Sequence, residues 1–507
     1  MTVHRTNTVI IGTGFSGLGM AMQLLERGRE DFLVLEKADS IGGTWRDNTY
    51  PGCACDVPSH LYSYSFEPNP NWSQMWSGQP EILEYLQGLV DKHQLDRHIR
   101  FGTECTGGYW DEVESRWHVT VAGGDEYIAQ FLVSGIGALH VPSTPVLTGI
   151  DSFEGAAFHS ARWDHEVDLA GKNVAVIGTG ASAVQLVPTI VDTVASLQLY
   201  QRSPAWVLPR SNFAIPEPVR HAFSKLPLLR RLFRDSIYWS AEGMAFGLNG
   251  HSNLLRPIES AARRFIRREV KDPELRRKLT PDYRIGCKRI LGSNSYYSAL
   301  TRSNAEVVTD GIAEVRAGSI VSSDGSERDV DVIVYATGFH VTDGFESVNV
   351  AGVGGKKLVP QWKAHGIQTH LGIAAAGYPN AFFLLGPNTG LGHNSVVFMI
   401  EQQIKYVLQA IDFIDASVAE ALTVRQKVQN DFTADIQRKL AVGVWSTGGC
   451  TSWYLDSQGV NRTVWPGFTW QYWLRTRKFD PADYEVVVPR RLGANPGAHS
   501  ETEDVLA

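Results

Sequence analysis

The sequence predicts an α/β fold with two dinucleotide-binding units and a helical insertion in the second unit. Two glycine-rich turns predict it, because each follows an apolar strand and leads into a helical pattern, at 9–17 and at 174–183. The length of 507 residues allows two or three domains with a large core. Two nucleotide sites in one chain indicate an oxidoreductase that passes electrons from one bound nucleotide to the other.

The first turn carries three glycines with distinct expected roles. Gly12 permits the tight turn, Gly14 lets the backbone approach a pyrophosphate, and Gly17 allows close packing of helix on strand. Glu36 ends the next apolar strand, 19 residues after Gly17. That spacing is near the ~20 residues expected for the acid that binds a ribose hydroxyl.

The second turn repeats the pattern with a different residue at the ribose position. Gly178 and Gly180 match the first two glycines, Ser182 lies in the turn, and Ala183 takes the third position. Arg202 follows Ala183 by 19 residues, where an acid would bind an unmodified ribose. Because arginine offers charge and two donors to a 2′-phosphate, the site favours NADP over NAD. The alternative is a solvated surface arginine.

Composition excludes several functional classes. The net charge of −7 and the lack of a basic, aromatic patch argue against nucleic-acid binding. No apolar stretch approaches the ~18 residues of a membrane span, and no signal peptide is apparent. The five cysteines are scattered, which favours a reducing cytoplasm, and their spacing predicts no metal site. The sequence does not indicate an oligomeric state.

The predicted helical insertion covers about 213–281 and is rich in arginine. A basic amphipathic helix can touch a membrane surface. Solvated helix faces are the expected explanation, so peripheral membrane contact is not expected. The arginines are Arg230, Arg231, Arg234, Arg263, Arg264, Arg267, Arg268, Arg276 and Arg277.

Two longer motifs carry a family resemblance. One is Phe153-x-Gly155-x-x-x-His159-x-x-x-Trp163-Asp164, just before the second turn, and the other runs from Gly42 to Asp56. Together with the two turns and Ala336-Thr337-Gly338, they resemble the Baeyer–Villiger monooxygenases, class B flavoproteins that insert oxygen into ketones. The resemblance covers nearly the whole chain. It implies FAD at the first unit, NADPH at the second, and ketone and O2 as substrates.

The resemblance places the catalytic pair at Arg289 and Asp56. Arg289 would stabilise a flavin peroxide anion and then the tetrahedral adduct with the ketone, and Asp56 would orient the arginine. Without the family pattern, an interdomain salt bridge would explain the pair. Lys288 resembles a contact to the 2′-phosphate of NADP.

Further residues receive roles from the resemblance. Phe153, Gly155, His159, Trp163 and Asp164 form a hinge, although His159 could be an ordinary linker histidine. Trp453 belongs to a loop over the nicotinamide and substrate, with core packing as the alternative. The residues expected near the flavin are Gly43, Thr44, Trp45 and Asn388.

These assignments give a domain plan. The FAD-binding domain takes 1–145 and resumes at 339–507 with the C-terminal loop region, 146–170 forms the linker, and 171–338 binds NADP. Two alternatives stay open: a flavin N- or S-hydroxylating monooxygenase, or an uncoupled NADPH oxidase. The ketone itself, whether cyclic, linear, aryl or steroid, is not indicated.

Overall fold

The computed structural model describes residues 2–343 and 348–487. Its strands alternate with helices in the order that two nucleotide-binding units require. The strands are β1 (Val3–Ile11), β2 (Phe32–Leu35), β3 (Ile99–Arg100), β4 (Cys105–Asp111), β5 (Arg116–Val121), β6 (Glu126–Ser134), β7 (Ala156–His159), β8 (Asn173–Ile177), β9 (Ser196–Tyr200), β10 (Val207–Leu208), β11 (Leu291–Gly292), β12 (Ala305–Val308), β13 (Ile312–Arg316), β14 (Ser319–Ser322), β15 (Glu327–Asp329), β16 (Val332–Tyr335), β17 (Asn349–Ala351), β18 (Ala381–Phe383), β19 (Ala421–Val424) and β20 (Tyr484–Val487).

The helices pack around these strands. They are α1 (Phe15–Glu26), α2 (Thr44–Asp47), α3 (Gln79–His93), α4 (Ala181–Ile190), α5 (Glu217–Lys225), α6 (Pro227–Leu248), α7 (Arg256–Glu269), α8 (Pro273–Leu279), α9 (Tyr296–Ala299), α10 (Leu358–His365), α11 (Val396–Asp415), α12 (Gln426–Ala441), α13 (Val444–Thr447) and α14 (Thr469–Thr476). The four helices α5 to α8 fall inside the predicted insertion at 213–281, which confirms that part of the fold prediction.

The first unit is organised by an eight-stranded sheet. Its order is β17-β4-β5-β6-β1-β2-β3, and β18 pairs with β6. The strands β2, β1 and β6 are parallel, with Ile11 beside both Leu35 and Ser134. Their carboxyl ends therefore meet at one edge, where ligands bind in open α/β sheets. The chain returns to this sheet after the second unit, because β17 pairs with β4 and β18 pairs with β6.

The second unit has a five-stranded sheet in the order β12-β9-β8-β16-β7. All four neighbouring pairs are parallel. The central strand β8 is apolar and buried at Val174, Ala175 and Val176, as expected for a strand covered on both faces. The edge strand β7 comes from the signature motif, so the segment predicted as a linker also completes this sheet.

The described part of the chain was searched for membrane-spanning helices and for groups of metal-binding side chains. None of its helices is both long and apolar enough to cross a membrane. Its His, Cys, Asp and Glu side chains form no group of three or more that could hold a metal ion.

Candidate active site

A cleft of about 1360 Å³ lies between the two units. It is larger than the ~300–1,000 Å³ typical of a site for one small ligand. Ten of the residues predicted from the sequence line it together: Thr44, Trp45, Asp56, Gly178, Gly180, Ser182, Arg202, Lys288, Arg289 and Trp453. Residues far apart in the chain thus converge on one space that suits two nucleotides.

The first turn is built for close approach of backbone groups. Gly12 has φ +94°, and a Cβ there would lie 2.9 Å from the carbonyl oxygen of Gly135. A Cβ on Gly17 would lie only 1.8 Å from the carbonyl oxygen of Gly12. Gly14 precedes α1, whose first turn has no side-chain cap. The helix N–H groups are therefore available to an anion such as a pyrophosphate.

Glu36 lies buried at the carboxyl end of β2. Its carboxylate accepts hydrogen bonds from the Thr13 amide (3.0 Å) and hydroxyl (2.6 Å), the Ala38 amide (3.0 Å) and Arg46 (3.0 Å). Burial alone would raise the pKa of Glu36, but these donors lower it below its ordinary value. The carboxylate is therefore ionised at neutral pH and fixed beside the first turn.

The motif from Gly42 to Asp56 forms a wall of the cleft. Gly43 has φ +52°, and a Cβ on it would lie 3.3 Å from the Cα of Gly14. The buried Trp45 donates from Nε1 to the hydroxyl of Tyr62 at 3.2 Å. Thr44 and Trp45 thus stand over the first turn, on the short helix α2.

Gln185 of α4 fastens this wall to the second unit. Its amide oxygen accepts from the hydroxyl of Tyr50 (2.8 Å) and the amide of Ala54 (3.2 Å), and its Nε2 donates to the Ala54 carbonyl (2.9 Å). A Cβ on Gly52 would meet Gln185 backbone at 2.7 Å. Sequence analysis did not identify Gln185, because a glutamine in a helix carries no local signal for such a contact.

The second turn opens onto the cleft. Gly178 has φ +117°, and a Cβ there would lie 2.3 Å from the carbonyl oxygen of Ala336. Gly180 is different, because a Cβ would meet nothing within 4 Å. The first turn of α4, which contains Ser182, has no side-chain cap. The second turn therefore fits a phosphate group as well as the first does.

Two cations lie at the ribose end of the second turn. Arg202 and Lys288 both line the cleft, and the Lys288 ammonium donates to the hydroxyl of Ser203. Burial, and then the positive charge of Arg202, lower the pKa of Lys288. Neither cation forms a salt bridge with a carboxylate of the described residues. Such a pair suits an anionic ligand such as a 2′-phosphate.

Arg289 and Asp56 form a two-point ion pair across the cleft. Nε and Nη2 of Arg289 both donate to the Asp56 carboxylate, the latter at 2.8 Å, and Nη1 donates to the Leu391 carbonyl at 2.9 Å. The two side chains remain 26% and 31% exposed. Burial opposes the charge, but Asp56 raises the pKa of Arg289, and Arg289 in turn holds the pKa of Asp56 below its ordinary value. A permanent cation therefore faces the space between the turns.

A second arginine supports this pair. Arg210 donates to the carbonyl of Cys55 at 2.8 Å and lies over the ring of Trp76, 5.3 Å from its centroid. Burial lowers the pKa of Arg210, and the nearby Asp56 acts in the opposite direction. Arg210 thus fixes the backbone next to Asp56. Local sequence patterns do not indicate this role, because Arg210 lies 155 residues from its partner.

The signature motif forms the edge strand β7 and the turn after it. His159 is buried, pairs in register with Tyr335, and accepts at Nδ1 from the Ala161 amide (3.1 Å). Burial lowers the pKa of His159, so its ring is neutral at neutral pH. Its ring lies 5.6 Å from that of Phe339, where the chain returns to the first unit. This position suits a hinge better than proton transfer in the cleft.

The other motif residues are structural in this arrangement. A Cβ on Gly155 would lie 2.2 Å from the Asp331 carbonyl oxygen and 2.5 Å from the Phe153 ring, so only glycine fits. Trp163 packs edge-on against Phe158 at 5.0 Å. Asp164 accepts from the amide of Glu166 at 3.0 Å. None of these five motif residues lines the cleft.

Asn388 was predicted to approach the flavin through its backbone, and its side chain points away from the cleft. Its side chain is buried and donates to the carbonyl oxygens of Asn461 and Val464, both at 3.2 Å. Its neighbours Pro387 and Gly390 line the cleft instead. With φ +58°, Asn388 shapes the loop and anchors the C-terminal segment. A side chain aimed away from the cleft cannot be recognised from sequence spacing.

The C-terminal loop is linked to the segment that carries Arg289 through a disulfide. Cys287 bonds to Cys450, 163 residues later. Cys287 precedes Lys288 and Arg289, and Cys450 precedes the cleft residues Thr451 to Trp453. Trp453 is partly exposed and lies 4.4 Å from the ring of Tyr454. The scattered cysteines of the sequence had not predicted this pairing.

Known proteins share this architecture. A family model for NAD(P)-binding Rossmann-like domains matches residues 10–78. A Baeyer–Villiger monooxygenase of Pseudomonas aeruginosa is 48% identical over 98% of this chain and 94% of its own length. One from Streptomyces coelicolor is 46% identical over 97% and 95%. The chain belongs to the Baeyer–Villiger monooxygenase family.

Solved structures agree with this assignment. A closed crystal structure of cyclohexanone monooxygenase superposes with a TM-score of 0.87 at 27% identity, covering 96% of this chain and 99% of that one. An oxidised steroid monooxygenase bound to NADP gives 0.86 at 30% identity, covering 96% and 100%. The family consists of FAD- and NADPH-dependent enzymes. The predicted family, fold class and pair of cofactors are therefore confirmed.

Proposed function

We propose that this chain uses NADPH and O2 to insert one oxygen atom into a ketone, giving an ester or lactone. The ion pair of Arg289 and Asp56 carries the proposal, because it places a permanent cation in the cleft between two nucleotide-binding turns. The family to which the chain belongs performs this reaction. A cytoplasmic location, with access to NADPH, is part of the proposal.

The residues at each turn fit one cofactor. We assign FAD to Gly12, Gly14, Gly17 and Glu36, with Gly43, Thr44 and Trp45 above them. We assign NADPH to Gly178, Gly180, Ser182, Arg202 and Lys288. When bound, FAD accepts a hydride from NADPH and activates O2 for transfer to the substrate. The protein's part is to bind, orient and supply charge.

Arg289 has the properties that oxygen transfer to a ketone needs. Negative charge develops on oxygen when a nucleophile attacks a carbonyl, and a fixed cation lowers the energy of that charge. The three hydrogen bonds from Arg289 to Asp56 and to the Leu391 carbonyl hold the guanidinium in one orientation. Asp56 also keeps it protonated, since it raises the pKa of Arg289.

The cleft around the cation suits an apolar ketone. Val57, Leu391, Val396 and Trp453 line it together with Arg289. An apolar wall binds the carbon skeleton by removing it from water, and the cation is left to interact with the carbonyl oxygen. We propose a ketone whose carbonyl is its main polar group.

The first test is the variant Arg289→Ala. The yield of ester per NADPH should fall at least about a hundredfold, because loss of one preorganised charge typically costs that much. Reduction of the flavin by NADPH should stay within a few-fold of wild type, since the second turn is unchanged. Product analysis by gas chromatography and anaerobic absorbance measurements separate the two steps.

Two comparisons make this test specific. Arg289→Lys keeps one positive charge but loses the two-point contact with Asp56. Its ester yield should therefore lie between those of the wild type and Arg289→Ala. Arg302→Ala, a surface arginine paired with Asp192, should behave as wild type. Full ester yield in Arg289→Ala would refute the catalytic assignment. Wild-type protein that releases hydrogen peroxide equal to the NADPH consumed, whatever ketone is added, would indicate an oxidase.

A further inference from the structure

The solvent side of helix α6 is apolar. Leu228, Leu232, Trp239 and Phe246 are 69%, 58%, 60% and 46% exposed. Spacings of four and seven residues place them on one face of the helix. Leu226, before the helix, and Leu229, in its first turn, are also exposed.

Packing within the described residues, 2–343 and 348–487, does not explain this surface. The opposite side of α6 is already buried at Ile237, Ala245 and Leu248. A surface helix normally has one apolar stripe facing the core and polar residues facing water. A contiguous apolar surface exposed to water marks a binding surface more often than chance.

The insertion that contains α6 is also strongly basic. Residues 213–281 contain 14 Lys and Arg against 7 Asp and Glu, a net charge of +7 in a chain whose net charge is −7. The rest of the chain therefore carries −14. Such an asymmetry between regions of one chain indicates an interaction with an anionic partner.

Several of the cations lie on the same helical hairpin as the apolar stripe. Arg220 and Lys225 belong to α5 and form no salt bridge within the described ranges. Arg230 of α6 is only partly exposed, lies on the side of the helix that carries Ile237, and donates to the Phe223 carbonyl at 3.3 Å. Arg231 approaches Asp235 only at 3.9 Å and is 79% exposed. Lys225 and Arg231 are both exposed, so their charges can interact with anionic groups beside the apolar surface.

We propose that the α5–α6 hairpin docks on an anionic phospholipid surface. Leu228, Leu232 and Trp239 would enter the boundary between headgroups and acyl chains, and Lys225 and Arg231 would contact phosphates. A second copy of the chain fits less well, because a symmetric contact would bring like charges together. Nucleic acid also fits less well, because its phosphates would leave the apolar stripe without a partner.

Vesicle flotation with the FAD-loaded protein tests the proposal. The protein should float with vesicles of phosphatidylcholine and phosphatidylglycerol, and binding should weaken as salt is added. Vesicles of phosphatidylcholine alone should bind much less. Absence of binding to the anionic vesicles at low salt would overturn the proposal.

Matched variants distinguish this surface from general effects of charge. Leu228→Glu combined with Leu232→Glu should abolish flotation while NADPH oxidation with a ketone is unchanged. Val113→Glu combined with Val418→Glu adds the same charge at two other exposed residues, 67% and 87% exposed, and should bind as wild type. Equal loss in both double variants would overturn the proposal.

Two further results complete the design. Lys225→Gln with Arg231→Gln should weaken binding about thirtyfold, since each surface cation contributes about 1 kcal/mol. Light scattering measures self-association in the same samples. The wild-type protein could instead form a dimer that the Leu228→Glu and Leu232→Glu double variant dissociates, and bind no vesicles. That result would mean that the apolar surface binds a second copy of the chain and not lipid.

Discussion

The two nucleotide turns share one backbone design and differ at their ribose ends. Both use glycines at positive φ, Gly12 and Gly178, to pass close to a neighbouring carbonyl. The first turn then meets the buried acid Glu36, held by Thr13, Ala38 and Arg46. The second meets Arg202, which is exposed to the cleft and forms no ion pair with the described carboxylates.

This difference separates a permanent site from an exchangeable one. A ribose-binding acid that is already fixed by four hydrogen bonds costs little further ordering when its ligand binds. An exposed arginine must be ordered at each binding event. The first turn thus suits a cofactor that stays, and the second suits a cosubstrate that enters and leaves in every turnover.

The largest difference in cofactor binding between the two turns is expected at their third position. Gly17→Ala would place Cβ 1.8 Å from the Gly12 carbonyl oxygen, so the turn must distort. Overpacking of this kind typically costs about 1–3 kcal/mol, and bound FAD should fall about tenfold or more. The equivalent residue of the second turn is already alanine, so Ala183→Gly should bind NADPH nearly as wild type.

Flavin absorbance per protein and the KM for NADPH measure the two effects. If the Gly17→Ala variant purifies with full FAD, the close contact between residues 17 and 12 is not required for FAD binding. The proposed difference between the two turns at this position would then be wrong. Far-UV circular dichroism shows whether a loss of FAD reflects loss of the fold.

An effect of similar size is expected at the ribose end of the second turn. Arg202→Ala should raise the KM for NADPH about tenfold to a hundredfold, since a charge-assisted contact contributes roughly 1.5–3 kcal/mol. The KM for NADH should not change, because NADH has no 2′-phosphate. Lys288→Ala should shift the preference in the same direction. An unchanged ratio of the two KM values in both variants would place the 2′-phosphate site elsewhere.

The smallest effect concerns the charge on Glu36. Its pKa lies below the ordinary value of 4.5, because donors from Thr13, Ala38 and Arg46 outweigh burial. A carboxylate with a lowered pKa contributes stability that is complete above its unfolded value and is lost as pH falls through its folded value. Acid below about pH 4.5 should therefore destabilise the first unit.

Glu36→Gln sharpens that expectation. The variant should melt a few degrees lower at neutral pH and show a shallower fall in melting temperature below pH 4.5 than wild type. Glu104→Gln, an exposed acid at the end of the same sheet, serves as the control. Identical acid profiles for Glu36→Gln and wild type would mean that Glu36 adds nothing to acid stability.

The sequence predicted the parts of the site that local patterns specify. The turns, the acid or arginine 19 residues later, and the helical insertion all follow from spacing and periodicity. The residues that it missed, Gln185 and Arg210, act through partners more than 100 residues away. Asn388 was predicted to approach the flavin through its backbone, and the structure adds that its side chain donates to Asn461 and Val464. Only the folded backbone decides the direction of such a side chain.

The Cys287–Cys450 bond has a consequence for limited proteolysis. Its covalent ring spans the whole return of the chain from the second unit to the first. A protease that cuts once between 288 and 449 leaves both pieces in one molecule, so the nicked enzyme migrates intact until a thiol reductant is added. The ring thus keeps Arg289 and the C-terminal loop in one covalent unit after the chain between them is broken.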